Sequence, residues 1–344
     1  VKKSGGVVMR GKSTKLSLSC AVFLFLCMLA CVVCVASAKT IYVPDDYAKI
    51  QWAVDNASAG DTIIVRPGTY IESVYVNKSL KIRSYSQNPS DTIVKAPAWF
   101  LHVFLVNADN VYISGFTVTG TACPWVGFSA GICLLNSSNC RIENVNASDN
   151  CCGIFLYNSS NNIIANSIIT LCCSNEFELG IYLEYSSNNT IANNTVSNNW
   201  NGILLSDSSN NNIIANNIIS SNNVSGIVSD FSSNNIIANN IISSNRYGIY
   251  LYYSSNNIIT NNTASNNEDG IYLYYSNNNI IADNTASSNS DDGIEVYHSS
   301  NNIIYLNNFI DNTDNVYSSG STNIWNSTHQ ITYIYNNTTF TNYL

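Results

Sequence analysis

The residues able to do chemistry return at fixed places in a repeat. A Gly-Ile pair recurs at Gly131, Gly153, Gly180, Gly202, Gly226, Gly248, Gly270 and Gly293. Two residues after each glycine stand Cys133, Phe155, Tyr182, Leu204, Val228, Tyr250, Tyr272 and Glu295. Four after stand Leu135, Tyr157, Glu184, Ser206, Asp230, Tyr252, Tyr274 and Tyr297, and at five after come Tyr185, Phe231, Tyr253, Tyr275 and His298. The alternating positions are aliphatic, as Ile203 and Leu205 are, so this is a strand with one face in a core and the other outward. The outward set predicts an exposed aromatic strip. Aromatic rings offer flat apolar faces to sugar C–H groups, and phenols offer hydrogen bonds. Tyr157, Tyr182, Tyr250, Tyr252, Tyr272, Tyr274 and Tyr297 are therefore candidate substrate-binding residues. The same rings could also stabilise the sheet by stacking across strands, and the two roles are compatible.

Acids accompany the strip. Glu184, Asp207 and Asp230 lie toward its middle, and Asp269 and Asp292 immediately precede their glycines. If each repeat is one coil, Glu184 and Asp230 stand about 9.6 Å apart, within the range of an inverting glycosidase pair. Asp269 and Asp292 fall near about 5 Å, closer to the retaining distance. A lyase would want a basic group, and only Arg246 is near. Solvated turns explain these acids more simply, so they form no demonstrable catalytic motif. Asn- and Asp-rich corners could hold Ca²⁺, although the nine-residue glycine-aspartate repeat of calcium-binding β-rolls is missing.

Seven of the eleven cysteines crowd into residues 123–173. Cys151 and Cys173 share one repeat column, and Cys123 and Cys152 share its neighbour. Adjacent coils at about 4.8 Å lie within disulfide reach, so Cys151–Cys173 and Cys123–Cys152 are plausible staples. The common C-x₂-C zinc spacing is absent, so no metal site is assigned to the cysteines.

The elements that must position these groups follow from the repeat of about 22 residues. After the first strand and a polar corner come Ile214, Asn217, Ile219 and Asn222, at steps of three, two and three. Short strands separated by bends give that pattern. Stacked, the repeats align Asn194, Asn217, Asn240, Asn262, Asn284 and Asn307 in one column, and Asn199, Asn222, Asn245, Asn267, Asn289 and Asn312 in another. A buried amide can bond its equivalents one coil above and below. Leucine-rich repeats place their Asn three residues after a Leu, whereas Leu205 is followed at that distance by Ser208. Asparagine-rich disorder would not keep apolar columns in register. The expected fold is all-β: a right-handed single-stranded parallel β-helix with a short N-terminal capping helix. That helix is placed after Pro44-Asp45-Asp46, with the acids at its start. The expected divisions are a signal peptide at 1–38, a cap and irregular coils at 39–120, regular coils at 121–323, and a hairpin-like segment at 324–344.

The signal assignment rests on basic residues up to Lys15, an apolar run from Leu16 to Val35 and the small residues Ala36-Ser37-Ala38. Membrane attachment is expected only through an uncleaved signal or a missing C-terminal anchor. The chain carries net charge −8, and the first 38 residues hold five of its cations, so the remainder is more acidic still. Such a surface repels phosphate backbones, which argues against nucleic acid. Among the glycosylation sequons, the corner residues Asn136 and Asn158 are the better candidates.

The segments 41–57 (IYVPDDYAKIQWAVDNA) and 60–70 (GDTIIVRPGTY) resemble the start of pectin-lyase-like β-helix proteins. The stretch 248–262 (GIYLYYSSNNIITNN) resembles the NosD-type repeats of archaeal and bacterial surface proteins, within the wider set of carbohydrate-binding and sugar-hydrolase β-helices. The resemblance implies a secreted or cell-surface module that binds polysaccharide or serves structurally, with other surface proteins as further partners. It also implies two alternatives: a polysaccharide hydrolase or lyase, and a periplasmic copper-maturation accessory. The His and Arg-Lys companions of polygalacturonase-like enzymes are absent, and Tyr250-Leu251-Tyr252 replaces the Asp-Pro-His that follows Tyr-Gly in uronate epimerases. Copper has little ligand chemistry here. Both methionines, Met9 and Met28, lie in the signal region, and His102, His298 and His329 share neither column nor close spacing.

Overall fold

The computed structural model describes residues 38–122, 129–170 and 178–326, together with the backbone of 331–335 and 338–342. Residues 1–37 of the segment read as a signal, and Cys123, Cys173 and His329, lie outside the described residues.

Each repeat is one turn of a right-handed parallel β-helix. The coil that starts at Tyr247 has strands Tyr247–Tyr252, Ile258–Thr260 and Thr263–Ser265, and each pairs in parallel with its equivalent in the next coil. Three long sheets result among the described residues. The first runs from Val74–Val76 to Asp314–Ser319, the second from Thr40–Val43 to Ile303–Tyr305, and the third from Gly68–Ile71 to Asn308–Ile310. The pairing Thr40↔Thr62 and Ile82↔Ile113 shows that the less regular early coils share the same stacking. Ile331–Tyr335 and Thr338–Asn342 form a separate antiparallel pair. No helix among the described residues is long and apolar enough to cross a membrane.

The interior is a column of aliphatic layers. In one coil Ile249, Leu251, Ile259 and Ala264 are fully or almost fully buried. Each large member contributes about 1.5–3 kcal/mol by leaving water. The glycine of the repeat is required by stacking: a Cβ on Gly248 would lie 2.4 Å from the Gly270 carbonyl oxygen.

Hydrogen-bonded ladders seal the corners. Asn217 Nδ2 donates to Asn240 Oδ1 at 3.0 Å, and Asn240 Nδ2 to Asn262 Oδ1 at 2.9 Å. The second expected ladder runs through Asn222 and Asn245 (3.0 Å) and on to Asn267 (3.1 Å). The polar corner holds two further ladders. One links Asn189, Asn212 and Asn235 (3.2 and 3.3 Å), and the other passes backbone N–H groups to serine hydroxyls, as from Ser232 to Ser254 (3.0 Å).

The N-terminal helix spans Ile50–Asn56 and buries Ile50, Ala53 and Val54 in the core. Asp45 and Asp46 do not begin it. Asp45 pairs with Arg66 (2.6 Å), Asp46 accepts from the Tyr42 N–H, and the first helical N–H groups, of Ile50 and Gln51, donate to Glu72 (3.0 Å each). A distant carboxylate thus supplies the charge that favours a helix start.

Candidate functional site

The outer face of the first sheet carries three aromatic columns set by strand register. Tyr250 pairs with Tyr272, and Tyr252 with Tyr274, which in turn pairs with Tyr297. Their rings stack: Tyr250–Tyr272 at 5.0 Å, Tyr252–Tyr274 at 5.4 Å and Tyr274–Tyr297 at 5.5 Å, all within 11° of parallel. A third stack runs along the sheet edge through Phe231, Tyr253, Tyr275 and His298, with centroid separations of 5.0–5.1 Å. Residues of this third column have positive φ, from 45° at Tyr253 to 47° at His298. Asn136, Asn158 and Asp207 hold the same corner in other coils, as expected of residues that tolerate that backbone. Bulky residues there are uncommon and cost energy, so the exposed rings are retained against local preference.

Tyr182 departs from the expected exposed strip. It is 7% exposed and stacks on Phe155 (4.9 Å) in a small outer cluster with Ala130, Cys133, Cys152 and Leu179. Tyr157 is half-buried at the edge of that cluster.

Between this cluster and the tyrosine stacks the face steps down. Leu204 and Val228 replace aromatic rings, leaving a shallow cleft of about 300 Å³ lined also by Asn201, Ser225, Asp230, Tyr250 and Tyr252. Of the acids, Asp230 lines it, while Glu184 and Asp207 belong to the two preceding coils. Burial raises the Glu184 carboxyl above the usual range, and the Asp207 charge adds to that while a hydrogen bond from Tyr182 opposes it. Asp230 is raised by burial and by Asp207, and its Oδ1 is buried without a hydrogen-bond partner. The Asp207 charge therefore acts on an acid in the coil before it and on one in the coil after.

Asp269 and Asp292 are not solvated turn residues. They are 3% and 6% exposed, and one oxygen from each lies within 4.8 Å of a Glu295 oxygen and of the other. Burial pushes Asp269 up to about 6, and pushes Asp292 and Glu295 up to about 7 with help from neighbouring acids. Their shared column is legible in the repeat, whereas their burial is not. The Tyr247 and Tyr272 rings, 5.4 Å apart, pack beside Asp269, and only the assembled face places them there.

Cys151 is disulfide-bonded; its expected partner Cys173 lies outside the described residues. The Cys152 Sγ lies 3.4 Å from the Ile154 carbonyl oxygen, and Cys123, its expected partner, is likewise outside them. Burial pushes the Cys133 thiol up to about 12 and the Cys140 thiol up to about 11, which disfavours the thiolate that a soft metal needs. His102 is spent as the acceptor of the Ala130 N–H (2.9 Å), and His298 stacks on Tyr275 many coils away. Among the described residues, the side chains that could converge on one ion are all carboxylates, not the nitrogen and sulfur donors that copper favours.

These features define a right-handed parallel β-helix repeat protein with an aromatic and acidic outer face. Residues 207–343 match the model of a periplasmic copper-binding protein (NosD), and residues 101–263 match that of a right handed beta helix region. The chain is thus NosD-like in its later coils. It is also 33% identical, over 111 residues, to a cell surface glycoprotein of Methanothermus fervidus. That match covers 32% of this chain and only 17% of the relative. Among solved structures, the Dettilon tailspike protein has TM-score 0.62 at 16% identity, over 82% of this chain and 66% of its own. The A-module of the mannuronan C-5 epimerase AlgE6 from Azotobacter vinelandii has 0.57 at 17%, over 80% and 94%. The DFA-IIIase of Arthrobacter chlorophenolicus A6 has 0.61 at 15%, over 78% and 84%. At these identities the likeness is one of fold, the pectin-lyase-like β-helix.

Proposed function

We propose that this chain is an extracytoplasmic surface module that binds polysaccharide along the outer face of its first sheet. The observation that carries the reading is the cleft with Leu204 and Val228 as floor, Tyr250 and Tyr252 as one wall, and Asp230 at its edge. An apolar floor suits the C–H face of a sugar, and phenol and carboxylate groups at the rim suit its hydroxyls. The stacked columns beyond, through Tyr272, Tyr274 and Tyr297, extend the surface for further sugar units. The cell surface glycoprotein relative and the periplasmic description of the NosD model support the location, and the epimerase neighbour supports the ligand class. Retention of the purified chain on a panel of polysaccharides tests the reading. Wild type should be retained, and Tyr250→Ala, Tyr252→Ala and Tyr274→Ala should each weaken retention several-fold. Failure of wild type to bind any polysaccharide leaves a purely structural module.

A second reading, hydrolysis or lysis of the bound glycan, draws on the raised carboxyls of Glu184 and Asp230, with Asp207 between them. A carboxyl that holds its proton more tightly is better suited to act as a general acid. Release of reducing ends or unsaturated products that is lost in Glu184→Gln would favour it.

A further inference from the structure

The final coils change the chemistry of one outward column. The position before the repeat glycine is Ala130, Cys152 or Leu179 in early coils and Tyr247 in a later one, then Asp269 and Asp292, and Asp314 pairs in register with Asp292 in the coil that follows. In the next outward column Tyr272 gives way to Glu295. Asp269, Asp292 and Glu295 thereby offer three carboxylate oxygens within 4.8 Å of one another. Asp291, Asp292 and Asp314 form a second trio that shares Asp292. Asp291, Asp292, Glu295 and Asp314, with Tyr317, line an open cleft of about 320 Å³.

A second observation separates this cluster from an ordinary acidic patch. Asp292 is 6% exposed, yet its Oδ1 is buried with no hydrogen-bond partner. The neighbouring Asp269 Oδ1 accepts only the Asp292 backbone N–H, at 3.1 Å. The base that acts on Asp269, Arg246, is already engaged by Glu268 (3.3 Å) and lies over the Tyr247 ring. Buried acids without a paired base carry a desolvation penalty that a proton or a cation must relieve.

We propose that Asp269, Asp292 and Glu295, with Asp291 and Asp314 at the rim, bind a divalent cation of the calcium class. Oxygens within 4.8 Å of one another are close enough to share one cation at metal–oxygen distances of about 2.4 Å, in the calcium range. Magnesium needs a tighter octahedron and gives up its waters reluctantly, and copper favours nitrogen and sulfur donors. The ligands share strands with Tyr272, Tyr274 and Tyr297, but the proposal rests on the carboxylates alone and not on glycan binding.

The test uses the whole chain, stripped with a chelator and free of sugar. Tb³⁺ replaces Ca²⁺ and is read by luminescence sensitised through Tyr272 and Tyr317. Saturable binding is expected, with Ca²⁺ displacing Tb³⁺ at a concentration at least ten-fold below that of Mg²⁺. Asp292→Asn should weaken binding ten-fold or more, and Asp314→Asn, at the exposed rim, several-fold. Asp283→Asn, an exposed acid on another corner, should leave it unchanged. Absence of saturable binding by wild type, equal displacement by Mg²⁺, or wild-type affinity in both Asp292→Asn and Asp314→Asn would overturn the proposal. Polysaccharide retention takes no part in this experiment, so either reading can fail alone.

Discussion

Tyr253 and Tyr275 stand one coil apart with ring centroids 5.0 Å apart and planes 4° from parallel. That separation is close to the distance of about 4.8 Å between paired strands, so the stack follows directly from the coil rise. Both residues pay for their place with a left-handed backbone, a cost of roughly 1–2 kcal/mol for a residue other than Gly, Asn or Asp. Stacking returns about 0.5–1.5 kcal/mol per pair. The two effects nearly cancel, so stability alone does not account for aromatic side chains at this corner.

Replacing Tyr253 by Asn follows from that balance. Asn accepts the backbone that Tyr253 strains, while the contacts to Phe231 and Tyr275 are lost. The expected result is a melting temperature within a few degrees of wild type, by circular dichroism, together with clearly weaker polysaccharide retention. A large loss of stability with unchanged retention would make the ring structural.

The asparagine ladders predict the opposite behaviour. Asn240 Oδ1 accepts from both the backbone and side-chain nitrogens of Asn217, and its Nδ2 donates to the Ile214 carbonyl and to Asn262. Asn240→Ala orphans buried partners on both sides, at a cost on the order of 3 kcal/mol or more. Hydrogen exchange should rise in the coils around Asn217 and Asn262. The neighbouring Ile241 side chain is 53% exposed, and Ile241→Ser should change stability by no more than about 0.5 kcal/mol.

Asp230 predicts a pH dependence. Its folded carboxyl holds a proton more tightly than in the unfolded chain, because burial and Asp207 disfavour the charge. Stability contributed by the protonated group is therefore present at low pH and lost as pH rises through the raised folded pKa. Asp230→Asn should raise the melting temperature at neutral pH and have a smaller effect at acid pH. Melting curves across that range check it, and an equal shift at both pH values would contradict the assignment.

Much of the solenoid was legible because its rules are local. The Gly-Ile pair, the aliphatic alternation at Ile203 and Leu205, and the columns of Asn240 and Asn245 repeat within about 22 residues, so stacking identical units aligns them. The ladder through Asn212 was harder to see, because its residues sit inside a Ser-Asn-rich corner where any of several polar positions could turn inward. The helix cap was misplaced for a different reason: Glu72, which reaches the Ile50 and Gln51 N–H groups, is more than 20 residues away, while Asp45 and Asp46 were adjacent.

The outer face divides in the same way. Which residues point outward and which share a column can be read from the repeat, since register in a parallel stack follows from strand period and coil length. What each outward position experiences emerges only once the coils are stacked. Tyr182 is buried beside Phe155, Leu204 and Val228 open a cleft, and Asp269 and Asp292 lose their water. The reason is that exposure on a sheet depends on the size of side chains in the coils above, below and alongside, which no single repeat contains. Periodicity set the direction of each side chain, and its neighbours in space set its chemistry.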